Sequence, residues 1–96
     1  MKENEYQRNL IKTLKERYPE SIVIKEDANY IQGLPDLIIL NKDKWATLEC
    51  KKSEKEKHQP NQDYYVNKMN ELSFSSFIFP ENQKDVLEAL DKHFGK

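Results

Sequence analysis

The feature that most constrains this chain is a pair of short apolar runs joined by a polar turn. Residues 34–40 (LPDLIIL) and 45–50 (WATLEC) are largely aliphatic, and residues 41–44 (NKDK) between them are polar. This pattern predicts a β-hairpin. If residues 41–44 form the loop, Leu40 pairs with Trp45, and this pair fixes the register of both strands.

This register brings ionisable side chains together at the open end of the hairpin. Asp36 lies directly opposite Glu49, because each is the same number of residues from the loop. Opposed residues of an antiparallel pair share one face, with Cβ atoms about 4.5–5.5 Å apart. Lys51 follows Glu49 at the next position on that face. A pair of carboxylates and an ammonium group are thus predicted to converge.

Such a cluster is a candidate site for a metal ion and for hydrolysis. Facing carboxylates raise each other's pKa unless a cation lies between them, and Mg²⁺ takes oxygen ligands of this kind. A bound Mg²⁺ lowers the pKa of a water molecule, which a neighbouring lysine can orient or deprotonate. A surface hairpin with an ordinary Glu–Lys pair is the alternative. The apolar residues around Asp36 and Glu49 favour the metal site, because charges at the edge of a core need a compensating partner.

The rest of the chain predicts a single α/β domain over residues 1–96, with a mixed sheet flanked by helices. Beside the hairpin, periodicity predicts a helix over about 3–18, a strand over 21–26, a helix after Pro60, a strand over 74–79 and a helix over 82–94, in the order α-β-β-β-α-β-α. The expected buried stripes are Tyr6, Leu10, Leu14 and Tyr18 in the first helix, Tyr65, Met69 and Leu72 in the second, and Val86, Leu87, Leu90 and Phe94 in the third.

Composition excludes several other classes of protein. The single cysteine, Cys50, allows neither an intramolecular disulfide nor a cysteine-based zinc site, and alternation along the strand predicts a buried thiol. No apolar run approaches the roughly 18 residues of a membrane span, and the N-terminus lacks the apolar core of a signal peptide. We therefore expect a cytoplasmic protein that contacts no membrane. Its net charge of −1 neither favours nor excludes nucleic acid as a partner.

Three segments together resemble a known nuclease family. Residues 33–39 (GLPDLII), residues 48–52 (LECKK) and Gln62 at the start of a helix resemble the PD-(D/E)XK superfamily, and most closely its virus-type replication-repair nuclease (VRR-NUC) branch. The resemblance covers nearly the whole chain. It implies a restriction-endonuclease-like core and a phosphodiesterase that depends on Mg²⁺ or Mn²⁺. Minimal stand-alone phage members of this branch look like homodimers that cut branched DNA such as four-way (Holliday) junctions.

The resemblance also implies roles for individual residues. Asp36, Glu49 and the backbone carbonyl of Cys50 are expected to be metal ligands, and Lys51 is expected to assist the nucleophilic water. Gln62 is expected to join these catalytic residues from the second helix.

Alternatives remain for the helical side chains. Gln62 shares the inward face of its helix, where a buried amide needs a partner; a capping or solvent-facing role is the alternative, and Gln59 replaces it if the helix begins earlier. Family members often carry a glutamate near the metal in the leading helix. At about 100° per residue, Glu3 falls within the apolar stripe and Glu5 nearly opposite. We therefore favour Glu3 as a ligand, with two solvated glutamates as the alternative.

Positive side chains follow the motif directly. Lys52, Lys55, Lys57 and His58 suit contacts with DNA phosphates, which need positive charge but no base reading. A solvated loop is the alternative for this segment.

The function expected from these residues is a divalent-metal-dependent DNA endonuclease of phage or mobile-element origin. Selectivity for branched DNA predicts a homodimer, because a two-fold symmetric junction needs two sites. The apolar side chains of the closing strand and helix are candidates for its interface. The alternatives are a non-catalytic module that binds DNA or a protein, a restriction-type enzyme, which needs more chain to read base edges, and an interaction protein whose hairpin only resembles the motif.

Overall fold

The computed structural model describes residues 2–27 and 30–96. Its helices are α1 (Glu3–Arg17), α2 (Gln62–Leu72) and α3 (Gln83–Phe94), and its strands are β1 (Ile22–Lys25), β2 (Leu37–Asn41), β3 (Lys44–Cys50) and β4 (Ser75–Ile78). Within the described residues the strands form a four-stranded sheet in the order β1-β2-β3-β4. Strands β1, β2 and β3 are antiparallel neighbours, and β4 runs parallel to β3. The predicted α/β class, element order and mixed sheet are confirmed.

The β2–β3 hairpin has the predicted register, with Leu40 opposite Trp45. Its turn is tighter than predicted, because residues 41 and 44 also pair and only residues 42–43 form the loop. Lys42 has a positive φ of 59°, a conformation that two-residue hairpin turns use. The shorter turn leaves the register unchanged, because it adds one pair to the same ladder.

Strand β2 begins later than predicted. The apolar run from Leu34 was expected to be strand throughout, but β1 pairs with β2 only from Leu37 onward. Pro35 has no N–H to donate to a ladder, which disfavours an earlier start. Asp36 therefore precedes the strand, although its carbonyl oxygen still accepts the Glu26 N–H at 2.7 Å. This bond holds Asp36 beside the end of the sheet.

The two faces of the sheet are covered by different helices. On one face, buried side chains of β2 and β3 pack with the apolar residues of α1 and α3 in a single core. The strand residues in this core are Leu37, Ile39, Ala46, Leu48 and Cys50. Residues between them point to the opposite face, because successive side chains alternate along a strand. There α2 packs on β3 and β4, and Thr47 Oγ1 donates to Met69 Sδ at 3.5 Å. Thr47 and Glu49 therefore lie on the α2 side.

The apolar stripes predicted for α1 and α3 are buried as expected: Tyr6, Leu10, Leu14, Tyr18, Val86, Leu87, Leu90 and Phe94. A polar contact also joins these helices, since Arg17 and the Tyr18 hydroxyl both donate to Asp91. In the part of the chain described, every helix is too short or too polar to cross a membrane.

The stripe predicted for α2 is wrong at Leu72, which is 66% exposed. The helix turns Val66 and Met69 toward the sheet, together with Gln62. At about 100° per residue, Leu72 lies roughly a quarter-turn away from that face. A spacing of three and four residues was correctly read as helical, but it left the phase of the buried face open.

Candidate metal centre

The open end of the hairpin holds a cluster of carboxylates. One carboxylate oxygen from each of Glu3, Asp36 and Glu49 lies within 4.8 Å of the others. Asp36 Oδ2 accepts the Cys50 backbone N–H at 2.9 Å, which fixes its carboxylate against β3. The predicted juxtaposition of Asp36 and Glu49 is thus present, because the hairpin register continues one step beyond Leu37 opposite Leu48.

Glu49 is the most deeply buried carboxylate of the cluster, at 2% exposure. Gln62 Nε2 donates to its Oε2 at 2.9 Å, and among the described residues no donor reaches its Oε1. Burial, with the nearby Asp36 charge adding to it and the Lys51 charge opposing it, raises the pKa of Glu49 to about 9. Burial also raises the pKa of Asp36, while the Cys50 N–H opposes that shift.

Lys51 supplies a positive charge beside these carboxylates and is itself 2% exposed. Its Nζ donates to Gln62 Oε1 at 2.7 Å and to the Lys57 carbonyl oxygen at 3.3 Å. Carboxylate oxygens of Glu49 and Glu56 lie 4.0 and 3.7 Å from Nζ. An ammonium group has three N–H donors, so one of them remains for a further acceptor near these carboxylates.

Gln62 connects the carboxylate cluster to the lysine. Its amide donates to Glu49 and accepts from Lys51, so both of its ends are used. Its Oε1 also accepts the Gln59 backbone N–H at 2.8 Å. Gln62 lies at the first position of α2, where its side chain faces the sheet. The structure therefore brings Gln62 to the site, and Gln59 contributes a backbone group and not its side chain.

The leading helix contributes Glu3, as favoured from the helical phase, whereas Glu5 is exposed. Burial raises the pKa of Glu3, and the charges of Glu56 and Asp36 raise it further. Glu3 also has a side-chain hydrogen bond with Glu56. Because both are carboxyl groups, this bond requires a proton on one of them.

Glu56 is a part of the site that the sequence did not indicate. Its Oε1 accepts the Lys52 backbone N–H at 2.7 Å, which closes the loop that follows β3. Its Oε2 lies near Lys51, and its carboxyl contacts Glu3. No hydrophobic period runs through residues 52–58, so no sequence signal distinguished Glu56 from the neighbouring Glu54.

Cys50 is fully buried, as predicted. Burial raises the pKa of its thiol well above the usual range, and the Asp36 and Glu49 charges add to this, while a hydrogen bond with the Gln7 side chain opposes it. The thiol is thus neutral and unreactive. The proposed use of the Cys50 backbone carbonyl as a ligand stays a prediction.

The predicted DNA-contacting residues Lys52, Lys55, Lys57 and His58 are all exposed beside the site. Their role in binding phosphate stays a prediction. His58 is held more firmly than a solvated loop residue, because its ring stacks on Phe77 with centroids 4.0 Å apart. Its Nδ1 also lies 2.8 Å from Asp63 Oδ1.

The donor set suits a hard divalent cation. Carboxylate oxygens are the ligands that Mg²⁺ and Ca²⁺ prefer, and a buried carboxylate oxygen without a donor needs a compensating positive charge. Glu49 Oε1 is such an atom once the carboxyl group has lost its proton. The residues present therefore fit a hard divalent cation held by Asp36, Glu49 and Glu3.

No protein-family model matches this chain, and no curated protein or solved structure matches it significantly.

Proposed function

We propose that this protein is a Mg²⁺- or Mn²⁺-dependent DNA endonuclease of the PD-(D/E)XK type. The observation that carries this proposal is the joint arrangement of three carboxylates, a buried lysine and a glutamine that bridges them. A cluster of acidic residues alone is not specific. Lysine side chains are almost never fully buried unless they are paired. Lys51 is 2% exposed and lies beside carboxylates at the end of the hairpin, which makes this arrangement more specific than an acidic cluster.

We assign each of these residues a role in phosphodiester hydrolysis. Asp36, Glu49 and Glu3 would hold the cation, which would supply Lewis-acid stabilisation of a phosphoryl oxygen. Lys51 uses its remaining N–H to orient the attacking water or to neutralise charge on the phosphoryl oxygens. Gln62 keeps Lys51 in position, because its Oε1 accepts from Nζ at 2.7 Å.

We also propose that a second copy of this chain is its partner, in the cytoplasm of the host cell. Exposed large apolar side chains are absent from β4 and α3 in the described residues; those on the sheet are Ile22, Ile24 and Leu40. Ile22 pairs with Leu40, so the three side chains lie on the same face of the sheet as α2. Helix α2 packs on β3 and β4, which leaves this face exposed over β1 and β2. Strand β1 is also a sheet edge, and an apolar edge is self-complementary across a two-fold axis.

The test is cleavage of labelled duplex, flap and four-way-junction DNA by the purified protein with Mn²⁺. Asp36→Asn and Lys51→Met remove one ligand and the ammonium group, and Asp85→Asn is the matched control at an exposed position of α3. We expect cleavage by the wild type and the control, and a loss of at least about 100-fold in both site variants. Binding of branched DNA without cleavage indicates the non-catalytic module instead. Equal cleavage by Asp36→Asn contradicts the proposal.

A further inference from the structure

A cavity of about 200 Å³ lies directly beside the carboxylate cluster. Asp36 and Gln62 belong to its wall, so it opens onto the groups proposed to act on the phosphate. The lining also includes residues of the loop before β2, among them Ile31, Gln32 and Leu34. Its volume is below the roughly 300–1,000 Å³ of pockets for drug-sized ligands, so it fits one small group.

The loop wall is held in place by close backbone packing against the start of α2. Gly33 has a φ of +95°, and a Cβ added there would lie 2.6 Å from Asn61 Cβ and 3.0 Å from the Pro60 carbonyl oxygen. The loop also closes on itself, since the Leu34 N–H donates to the Ile31 carbonyl at 3.4 Å. A cavity wall fixed in this way is formed before any ligand arrives.

The charge of the lining argues against phosphate as the occupant. Three of the lining residues are acidic, Glu26, Asp27 and Asp36, and among the described residues no lysine, arginine or histidine lines the cavity. A phosphate would be repelled there. A neutral group whose edge carries N–H donors is favoured, because carboxylates and glutamine side chains accept from exocyclic amines of bases.

An exposed aromatic side chain stands next to this wall. Tyr30 is 75% exposed and precedes Ile31, which is 40% exposed and lines the cavity. The Tyr30 backbone N–H donates to the Asp27 carbonyl oxygen at 3.1 Å, and this bond positions Tyr30 within the same loop. Aromatic side chains in such positions stack on the bases of unpaired nucleic acid.

We propose that this cavity binds one unpaired nucleobase with an exocyclic amino group, next to the scissile phosphate, and that Tyr30 stacks on the neighbouring base. This inference rests on the proposed nuclease function. A base enters the cavity only where it has left the double helix. The loop at residues 30–34, which lines the cavity, would therefore determine the selectivity for branched DNA.

The experiment measures binding of splayed-arm DNA whose first unpaired nucleotide is dC or dT, with Ca²⁺ in place of Mn²⁺. We expect the wild type to bind the dC arm about fivefold or more tightly than the dT arm, and fully paired duplex most weakly. Tyr30→Ala should weaken binding of the arm by about tenfold. Tyr64→Ala is the matched control, since Tyr64 is 62% exposed on α2. Glu26→Gln should reduce the preference for dC, because an amide also donates to thymine.

Parallel cleavage with Mn²⁺ separates the two proposals. If the wild type cuts DNA but binds dC and dT arms equally, and Tyr30→Ala behaves like Tyr64→Ala, the cavity assignment is wrong and the nuclease assignment stands. If the wild type neither binds nor cuts any DNA, both proposals are overturned. A dC preference that disappears in Glu26→Gln while cleavage persists supports both.

Discussion

Removal of divalent cations should make the stability of this protein fall as the pH rises. Burial raises the pKa of Glu49 to about 9, against about 4.3 in an unfolded chain. Between these values the folded protein holds a proton that the unfolded chain has released. Unfolding free energy then decreases with pH by at most about 1.4 kcal/mol per unit. From pH 6 to pH 8 this gives a loss of about 1–3 kcal/mol, or roughly 5–20 °C in Tm for a domain of this size.

Glu49→Gln should flatten this dependence. The amide keeps the shape of the side chain but cannot ionise, so this position no longer loses a proton as the pH rises. In EDTA at pH 8 the variant should be at least as stable as the wild type. Glu71→Gln is the matched control on the exposed surface of α2, and it should keep the wild-type slope. The measurement is chemical denaturation followed by circular dichroism at pH 6, 7 and 8.

Adding Mn²⁺ should reverse the trend in the wild type, because a cation takes the place of the proton. At a concentration of 100 times its Kd the ion adds about 2.7 kcal/mol, and it adds less at pH 6, where protons compete. Two results would refute the reasoning. One is a wild type in EDTA whose stability is flat or increases from pH 6 to pH 8. The other is equal stabilisation of Glu49→Gln by Mn²⁺, which would remove Glu49 from the ligands.

Three further outcomes are expected. Gln62→Leu leaves buried Lys51 and Glu49 without their shared partner, and should lower kcat by about 100-fold or more while costing about 1–3 kcal/mol in a denaturation experiment. Gly33→Ala should destabilise the protein by about 1–3 kcal/mol more than Gly95→Ala. Both glycines have a positive φ, but only at Gly33 would the added Cβ collide with backbone atoms. Equal losses of stability would contradict this prediction. Ile24→Lys should shift a dimer to monomer in sedimentation equilibrium, whereas Leu72→Lys, also at an exposed apolar position, should not.

The parts of the site on regular elements could be predicted because their geometry is discrete. A hairpin register moves in whole residues, and a slip of one residue turns every side chain to the other face. Counting from the turn therefore placed Asp36 opposite Glu49, although the loop has two residues and not the four that were predicted. The same reasoning by helical phase separated Glu3 from Glu5.

The parts outside regular elements could not be predicted in this way. Glu56 reaches Lys51 from a loop without a repeating pattern, and backbone hydrogen bonds with Lys52 and Ser53 position it there. The ring of His58 is fixed by Phe77, a residue of β4, and no local spacing predicts that contact. The exposure of Leu72 depends on which face α2 turns to the sheet, and packing on β3 and β4 decides that phase.

The arrangement of charges around Glu49 is itself an argument for a ligand. An ionised buried carboxylate with an oxygen that accepts no hydrogen bond lowers stability, and Glu49 Oε1 is such an oxygen. The Lys51 ammonium nitrogen lies 4.0 Å from the other oxygen, Oε2. An apolar residue or a glutamine at this position would avoid that cost in a protein selected for stability alone. Gln62, in contrast, forms hydrogen bonds with both of its neighbours and bridges the carboxylate and the lysine. A site that keeps a carboxyl group whose ionisation is opposed by burial, and that orients it with a buried amide, is accounted for if a cation takes the place of the proton.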